Sequence, residues 1–115
     1  YGCPTYAGDL AKAILVIAEK ISTGKVSWGT YHHCGDLPTS WHGFTRAIIS
    51  EGVAQGKISK SPELFAIKTG DYPLATPRPA CSVLDCRSMQ DEWGIGSSDW
   101  RQSLKFVVSK ISSCL

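Results

Sequence analysis

Residues 5–21, TYAGDLAKAILVIAEKI, set the class of fold that the rest of the chain builds on. Apolar residues recur there at intervals of three and four, so the pattern predicts a helix with one apolar face. Thr5 is the expected N-cap, and Gly24 follows the expected end at about Ile21. The apolar face would consist of Ala7, Leu10, Ala11, Ile14, Leu15, Ala18 and Ile21.

Three further helices are predicted from caps and apolar spacing. They are expected at residues 41–54, 86–93 and 100–111. Thr39 with Ser40, then Asp85 and Asp99, stand before them as capping residues, and Gly94 closes the short one. The inner faces would hold Trp41, Phe44, Ala47, Ile48 and Val53 in the second helix, and Trp100, Leu104, Val107, Val108 and Ile111 in the last.

Two short strands are predicted between these helices. They are residues 29–35, held between glycines, and residues 64–67. Two strands cannot make a doubly wound sheet. The sequence therefore predicts an α/β chain, a small mixed lobe of about four helices and a few short strands, docked on something larger.

Composition narrows the function classes. The 115 residues weigh 12.5 kDa, which suits one domain over residues 1–115. A net charge of +2 lacks the basic field of a duplex-binding protein, and no apolar run reaches 18 residues. We therefore expect no nucleic-acid partner and no membrane span.

The cysteines indicate the redox compartment of the protein, and the first residue bears on its relation to a longer precursor. Five cysteines are scattered as Cys3, Cys34, Cys81, Cys86 and Cys114. An odd, sparse set favours free thiols in a reducing compartment, so we expect a cytoplasmic protein. The sole methionine is Met89, and a start at Tyr1 favours a removed leader or a piece of a longer protein.

Dinucleotide-binding and metal motifs are weak in this chain. Gly94-Ile95-Gly96 has Asp99 in place of the third glycine and follows a helix, so it is interpreted as a turn. The functional alternative for residues 31–34 is a metal site formed by His32, Cys34 and His42. Strand alternation sends His32 and His33 to opposite faces, so we favour a strand with one histidine on each face.

The proline-rich loop 69–80 is a candidate binding element. Prolines fix its backbone, and it carries the aromatic ring of Tyr72 and the guanidinium of Arg78. A stiffly held Arg suits bidentate recognition of phosphate. The plain alternative is a surface loop in which Arg78 forms an ion pair with Asp85 or Asp71. The sequence supports the two interpretations equally.

Five segments in order resemble the dTDP-4-dehydrorhamnose reductases. Residues 2–11 are similar to their G-x-P-T-x-x-x-D-L-A segment, and residues 29–35 to their G-x-Y-H-x-x-G strand. Residues 39–44 resemble T-S-W-x-x-F, and residues 72–85 resemble their Y-P…R-P…S-x-L-D loop. Residues 94–104 resemble the closing G-I…D-W-x-x-x-L helix, so the likeness covers most of the chain.

This resemblance implies the C-terminal, substrate-binding part of a Rossmann-type extended short-chain reductase. The family reduces dTDP-4-dehydro-L-rhamnose to dTDP-L-rhamnose with NADPH or NADH. The glycine loop and the Tyr-x-x-x-Lys pair of that family are absent from residues 1–115, so we expect no cofactor bound by this chain and no activity from it alone. The N-terminal Rossmann domain would be the missing partner.

The resemblance also implies site residues. Arg78 would lie near the diphosphate of a dTDP-sugar, with Tyr72 and Ser82 in support, and Thr5 and Trp41 would face the cleft between domains. No catalytic, cofactor-binding or metal-ligating residue is expected. A chain without its partner domain would expose apolar surface, so we expect self-association in isolation. The alternative function is a non-catalytic interaction module related to the family.

Overall fold

The structure is a computed structural model that describes residues 1–72 and 75–112. Four α-helices and one turn of 3-10 helix form its regular structure. They are α1 (Ala7–Ser22), α2 (Trp41–Ala54), the 3-10 turn (Thr69–Asp71), α3 (Arg87–Trp93) and α4 (Trp100–Lys110). The predicted helices are thus confirmed within one or two residues at each end. Within the two described ranges, no helix combines the length and apolarity that a membrane crossing needs.

Two of the predicted N-caps are confirmed, and two differ. The Ser40 side chain accepts a hydrogen bond from the Gly43 amide, and Asp99 accepts one from Arg101. The Asp85 carboxylate accepts from the Arg87 amide, but the capping position itself is Cys86. Thr5 is not a cap: its hydroxyl is turned to Gly35, so α1 begins after Tyr6 without a side-chain cap.

Both predicted strands are wrong. Residues 29–35 and 64–67 lie outside regular structure, because no strand among the described residues offers them a ladder of hydrogen bonds. In the part of the chain that is described, the isolated bridge recorded is the antiparallel pair Gly2 and Thr39. The architecture is therefore helix-rich rather than a mixed lobe.

The core lies around the contact between α2 and α4 and the loop at Cys34, and α1 and α3 also contribute buried side chains. Its buried apolar side chains are Ala13, Cys34, Met89, Trp93, Trp100 and Val108. Phe44 of α2 stands edge-on to Trp100 of α4 with ring centroids 5.4 Å apart. Trp93 of α3 has the same relation to Tyr31 at 5.9 Å. Edge-on aromatic contacts therefore join α2 to α4 and α3 to the segment at Tyr31.

The prediction of which face of α1 is buried is wrong. The buried face is rotated from the predicted one by part of a turn. Ala13 is buried, and Asp9 accepts hydrogen bonds from the hydroxyls of Ser98 and Ser103. The side chains of Ile14 and Leu15 are 58% and 68% exposed. Polar anchoring by Asp9 decides which face of α1 turns inward, so most of its apolar face is left open.

Four other residues expected inside are exposed. They are Trp41 and Val53 in α2, Val107 in α4, and Ile111 just beyond the end of α4.

The molecule has more surface than a compact chain of its mass. Its accessible area is 8529 Å², whereas a compact monomer of this mass exposes about 6,200 Å². The radius of gyration is 17.5 Å, against about 13 Å for a compact domain of this length. Open apolar faces such as that of α1 account for part of this excess.

Candidate functional site

The segment 1–5 joins the proline-rich loop to the start of α2. The backbone nitrogen of Tyr1 donates to the Ala80 carbonyl at 2.6 Å, and the Ser82 amide donates to the Tyr1 carbonyl at 2.8 Å. On the other side, Gly2 and Thr39 exchange two backbone hydrogen bonds of 3.0 and 2.9 Å. Residues 1 and 2 therefore lie between residues 80–82 and Thr39.

Two of the five expected site residues belong to this segment or contact it, and a third, Trp41, comes two residues after Thr39, which pairs with Gly2. The Ser82 hydroxyl lies 3.4 Å from the Tyr1 carbonyl. The Thr5 hydroxyl donates to the Cys3 carbonyl and accepts from the Gly35 amide, both at 3.1 Å. Trp41 follows Ser40 at the start of α2 with 78% of its side chain exposed. An exposed Trp offers a flat face to a ring without further rearrangement.

The other two expected residues stand apart. Tyr72 is 61% exposed at the end of the 3-10 turn, and Arg78 is exposed. Among the described residues, Arg78 makes no side-chain hydrogen bond and no ion pair. Pro73 and Leu74, which belong to the same expected loop, lie outside the described residues. Within residues 1–72 and 75–112, no hydrogen bond joins Arg78 to Ser82, Thr5 or Trp41.

The ion pair that the plain alternative gave Arg78 is not found among the described residues, whereas its surface-loop part agrees with the exposure of residues 75–82. Asp85 pairs with Arg87 instead, and the Asp71 carboxylate accepts the Lys68 amide at 2.9 Å. The carboxylates of Asp85 and Asp71 thus each interact with a residue close to them in sequence. The guanidinium of Arg78 is left available in solvent.

A groove along α2 was missed by the sequence reasoning. Its volume is about 770 Å³, and His42, Arg46 and Ser50 line one wall while Ser61 and Pro62 stand opposite. The first three recur at intervals of four, so they form a polar stripe on one face of α2. That spacing was readable in the sequence, but the segment that closes the groove was not.

His32 and His33 were predicted to lie on opposite faces of a strand, but residues 29–35 form no strand. His32 is exposed, whereas both ring nitrogens of His33 are enclosed without a hydrogen-bond partner among the described residues. Within the same residues, no group of three His, Cys, Asp or Glu side chains is placed to hold a metal ion. The geometry therefore gives no support to the alternative built on His32, Cys34 and His42.

Asp85, at the end of the loop, is held strongly ionised. The Arg87 side chain donates three hydrogen bonds to the Asp85 carboxylate, with Nε 3.0 Å from each oxygen and Nη2 2.5 Å from Oδ2, and the Arg87 amide adds a fourth. These bonds lower the pKa of Asp85 from 3.8 to about 2. The pair is exposed, so it orders the entry to α3 more than it stabilises the fold.

We expect Arg87→Gln to return the pKa of Asp85 toward its ordinary value. Because the folded pKa is depressed, the contribution of Asp85 to stability is present above pH 3.8 and is lost as the pH falls through about 2. Carbon NMR of the Asp85 carboxyl group, followed down to the pH of acid unfolding, would measure this. Arg101→Gln is the control, and an Asp85 midpoint near 3.8 in the unaltered chain would contradict the prediction.

Residues 1–113 match the family model described as the RmlD substrate binding domain. The chain belongs to this family. It is 46% identical over 107 residues to the dTDP-4-dehydrorhamnose reductase of Aggregatibacter actinomycetemcomitans, an alignment that covers 92% of this chain and 36% of the relative. No solved structure matches the chain.

Two other relatives extend the comparison. The dTDP-4-dehydrorhamnose reductase of Burkholderia thailandensis is 31% identical over 122 residues, covering 98% of this chain and 40% of the relative. The spore coat polysaccharide biosynthesis protein SpsK of Bacillus subtilis is 32% identical over 114 residues, covering 98% of this chain and 36% of the relative. The chain spans between 36% and 40% of the length of these three relatives.

Proposed function

We propose that this chain is the sugar-nucleotide-binding part of a dTDP-4-dehydrorhamnose reductase. The match of residues 1–113 to a substrate-binding family, with a reductase relative at 46% identity, supports the proposal. The reaction would reduce dTDP-4-dehydro-L-rhamnose to dTDP-L-rhamnose at the expense of NADPH or NADH. The role of this chain in it is to hold the nucleotide sugar.

The proposed binding surface is the proline-rich loop together with the segment that it contacts. Arg78 would bind the diphosphate, because its guanidinium is exposed and pairs with neither nearby carboxylate. Tyr72 and Ser82 would support it. Thr5 and Trp41 would border the cleft, and the exposed indole of Trp41 suits stacking against a base or sugar.

This chain lacks the motifs expected to bind the cofactor and to donate the proton. Residues 1–115 contain neither a G-x-G-x-x-G loop nor a Tyr-x-x-x-Lys pair. We therefore derive no hydride-transfer step from this chain and assign the cofactor to a separate dinucleotide-binding part. Without that part, no reductase activity is expected.

The open face of α1 is the proposed contact with the dinucleotide-binding part. Leu10, Ile14 and Leu15 are each between 42% and 68% exposed on one face of that helix. Apolar patches of this kind mark interaction surfaces in folded proteins. The large excess of accessible area over a compact monomer supports the same proposal.

We expect Arg78→Ala to weaken binding of dTDP-L-rhamnose by about 10- to 100-fold, because charge-assisted hydrogen bonds to phosphate are lost. Isothermal titration of the chain with dTDP-L-rhamnose, dTDP and NADPH in separate runs would measure it. Lys105→Ala removes the same charge from the exposed face of α4 and should leave the affinity unchanged.

Two outcomes would contradict the proposal. One is equal affinity of Arg78→Ala and the unaltered chain for dTDP-L-rhamnose, which would remove Arg78 from the site. The other is tight binding of NADPH, which would place the cofactor on this chain.

The open apolar surface also favours a second candidate, an interaction module without catalysis. Such a chain would bind a protein through α1 and ignore dTDP-sugars. The titrations above separate the two functions, because only the first predicts a response to dTDP or dTDP-L-rhamnose.

A further inference from the structure

Two thiols distant in sequence lie in contact beside the proline-rich loop. The Sγ atoms of Cys34 and Cys86 are 3.6 Å apart, although 52 residues separate them. Both sulfurs face the same backbone carbonyl, that of Leu84, at 4.0 and 3.8 Å. Neither thiol belongs to the proposed sugar-nucleotide surface.

The two thiols differ in access. Cys34 is 6% exposed, whereas Cys86 is half-buried at the capping position of α3. An open cleft of about 360 Å³ runs past both sulfurs, and Cys3 lines it as well. A small solute can therefore approach Cys86 from solvent, while Cys34 lies behind it.

We propose that Cys34 and Cys86 form a reversible disulfide when the chain meets a small-molecule disulfide. A disulfide bond is about 2.05 Å long, so the sulfurs must approach by about 1.5 Å, within the reach of side-chain rotation. Cys34 sits next to Gly35, and Cys86 begins α3. The bond would fasten Cys86, which lies four residues after Ser82, to the segment around Gly35.

The exchange is balanced by the oxidant. The Cys86 thiolate attacks one sulfur of the small disulfide, which forms a mixed disulfide and releases one small thiolate. Cys34 gives its proton to the small thiolate just released and attacks Cys86 Sγ, which closes the protein disulfide and releases the second small thiolate. Two protein thiols are oxidised to one disulfide, and one small disulfide is reduced to two thiols.

Burial supports the order of these steps. Desolvation, together with the hydrogen bond to Cys86, raises the pKa of Cys34 to about 12, so Cys34 is a protonated thiol at neutral pH. The accessible thiol, Cys86, is therefore the first to react, and Cys34 resolves it. The inference does not depend on the proposed function, because no nucleotide sugar takes part.

The test is a cross-link map of the full chain after treatment with oxidised glutathione. Trypsin releases Cys34 in residues 26–46, Cys3 in residues 1–12, and both Cys81 and Cys86 in residues 69–87. The map is therefore made in a Cys81→Ser background, where a link from 26–46 to 69–87 identifies the proposed pair. This link is the expected predominant product, and dithiothreitol should remove it completely.

Variants and a denatured sample make the result decisive. Cys86→Ser and Cys34→Ala should each lose the link, and Cys3→Ser should retain it. A predominant link from residues 1–12, the absence of any link to 26–46, or an equal yield of the proposed link from urea-unfolded chain would each overturn the inference.

Discussion

Replacing Gly35 by Ala should unfold the chain or lower its free energy of unfolding by about 3 kcal/mol or more. A Cβ at this buried position would stand 2.0 Å from the carbonyl oxygen of Pro4 and 3.3 Å from Cβ of Trp100. The first neighbour is backbone, so no rotamer change can relieve the contact. Chemical denaturation followed by far-ultraviolet circular dichroism would measure the loss.

The reason lies in where Gly35 sits. Its amide donates to Thr5, and the next amide, that of Asp36, donates to the Ser98 carbonyl at 2.9 Å. The segment 1–5 and the start of α4 thus close on Gly35 from two sides. A methyl group there separates elements that the candidate site needs together.

Two other glycines provide matched controls for Gly35→Ala. Gly70→Ala meets no atom within 4 Å, so its stability should change little or rise slightly. Gly2→Ala meets the Ser82 hydroxyl at 2.8 Å, a group that can rotate away, so its cost should lie between the other two. Equal stability of all three variants would show that Gly35 is not a close contact.

Sequence patterns predicted the helices because a helix satisfies its own backbone. The bounds of α2 and α4 follow from Ser40 and Asp99, whose caps act within one turn. The two strand predictions were wrong because a strand cannot satisfy its own backbone hydrogen bonds. Residues 29–35 have the composition of a strand, but a strand exists only where another chain segment supplies hydrogen bonds.

The candidate site was predictable as a set of residues and not as an arrangement. Ser82 is connected to the segment that contains Thr5 by its contact with Tyr1, and a contact across 81 residues leaves no periodic signal. The inner face of α1 was missed because Asp9 binds two serine hydroxyls of a distant segment. Long-range polar contacts of this kind are visible only in the folded chain.

Trp100→Ala should be the most destabilising truncation of a side chain, by about 3–5 kcal/mol. Trp100 is 3% exposed, stands edge-on to Phe44 and donates from Nε1 to the Leu37 carbonyl at 3.0 Å. Leu37 has a φ of 52°, which a non-glycine residue rarely adopts. The indole therefore fills the contact between α2 and α4 and also holds a strained turn.

Trp100→Phe and Trp41→Ala separate these contributions. Phe keeps an aromatic ring against Phe44 but cannot donate to Leu37, so it should cost about 1–2 kcal/mol. Trp41 is 78% exposed, and its truncation should change stability by less than about 0.5 kcal/mol. Urea denaturation of the three variants at one temperature would measure the order. A Trp41→Ala variant as unstable as Trp100→Ala would place the core around the start of α2 and would contradict both the packing and the proposed role of Trp41 as an open binding face.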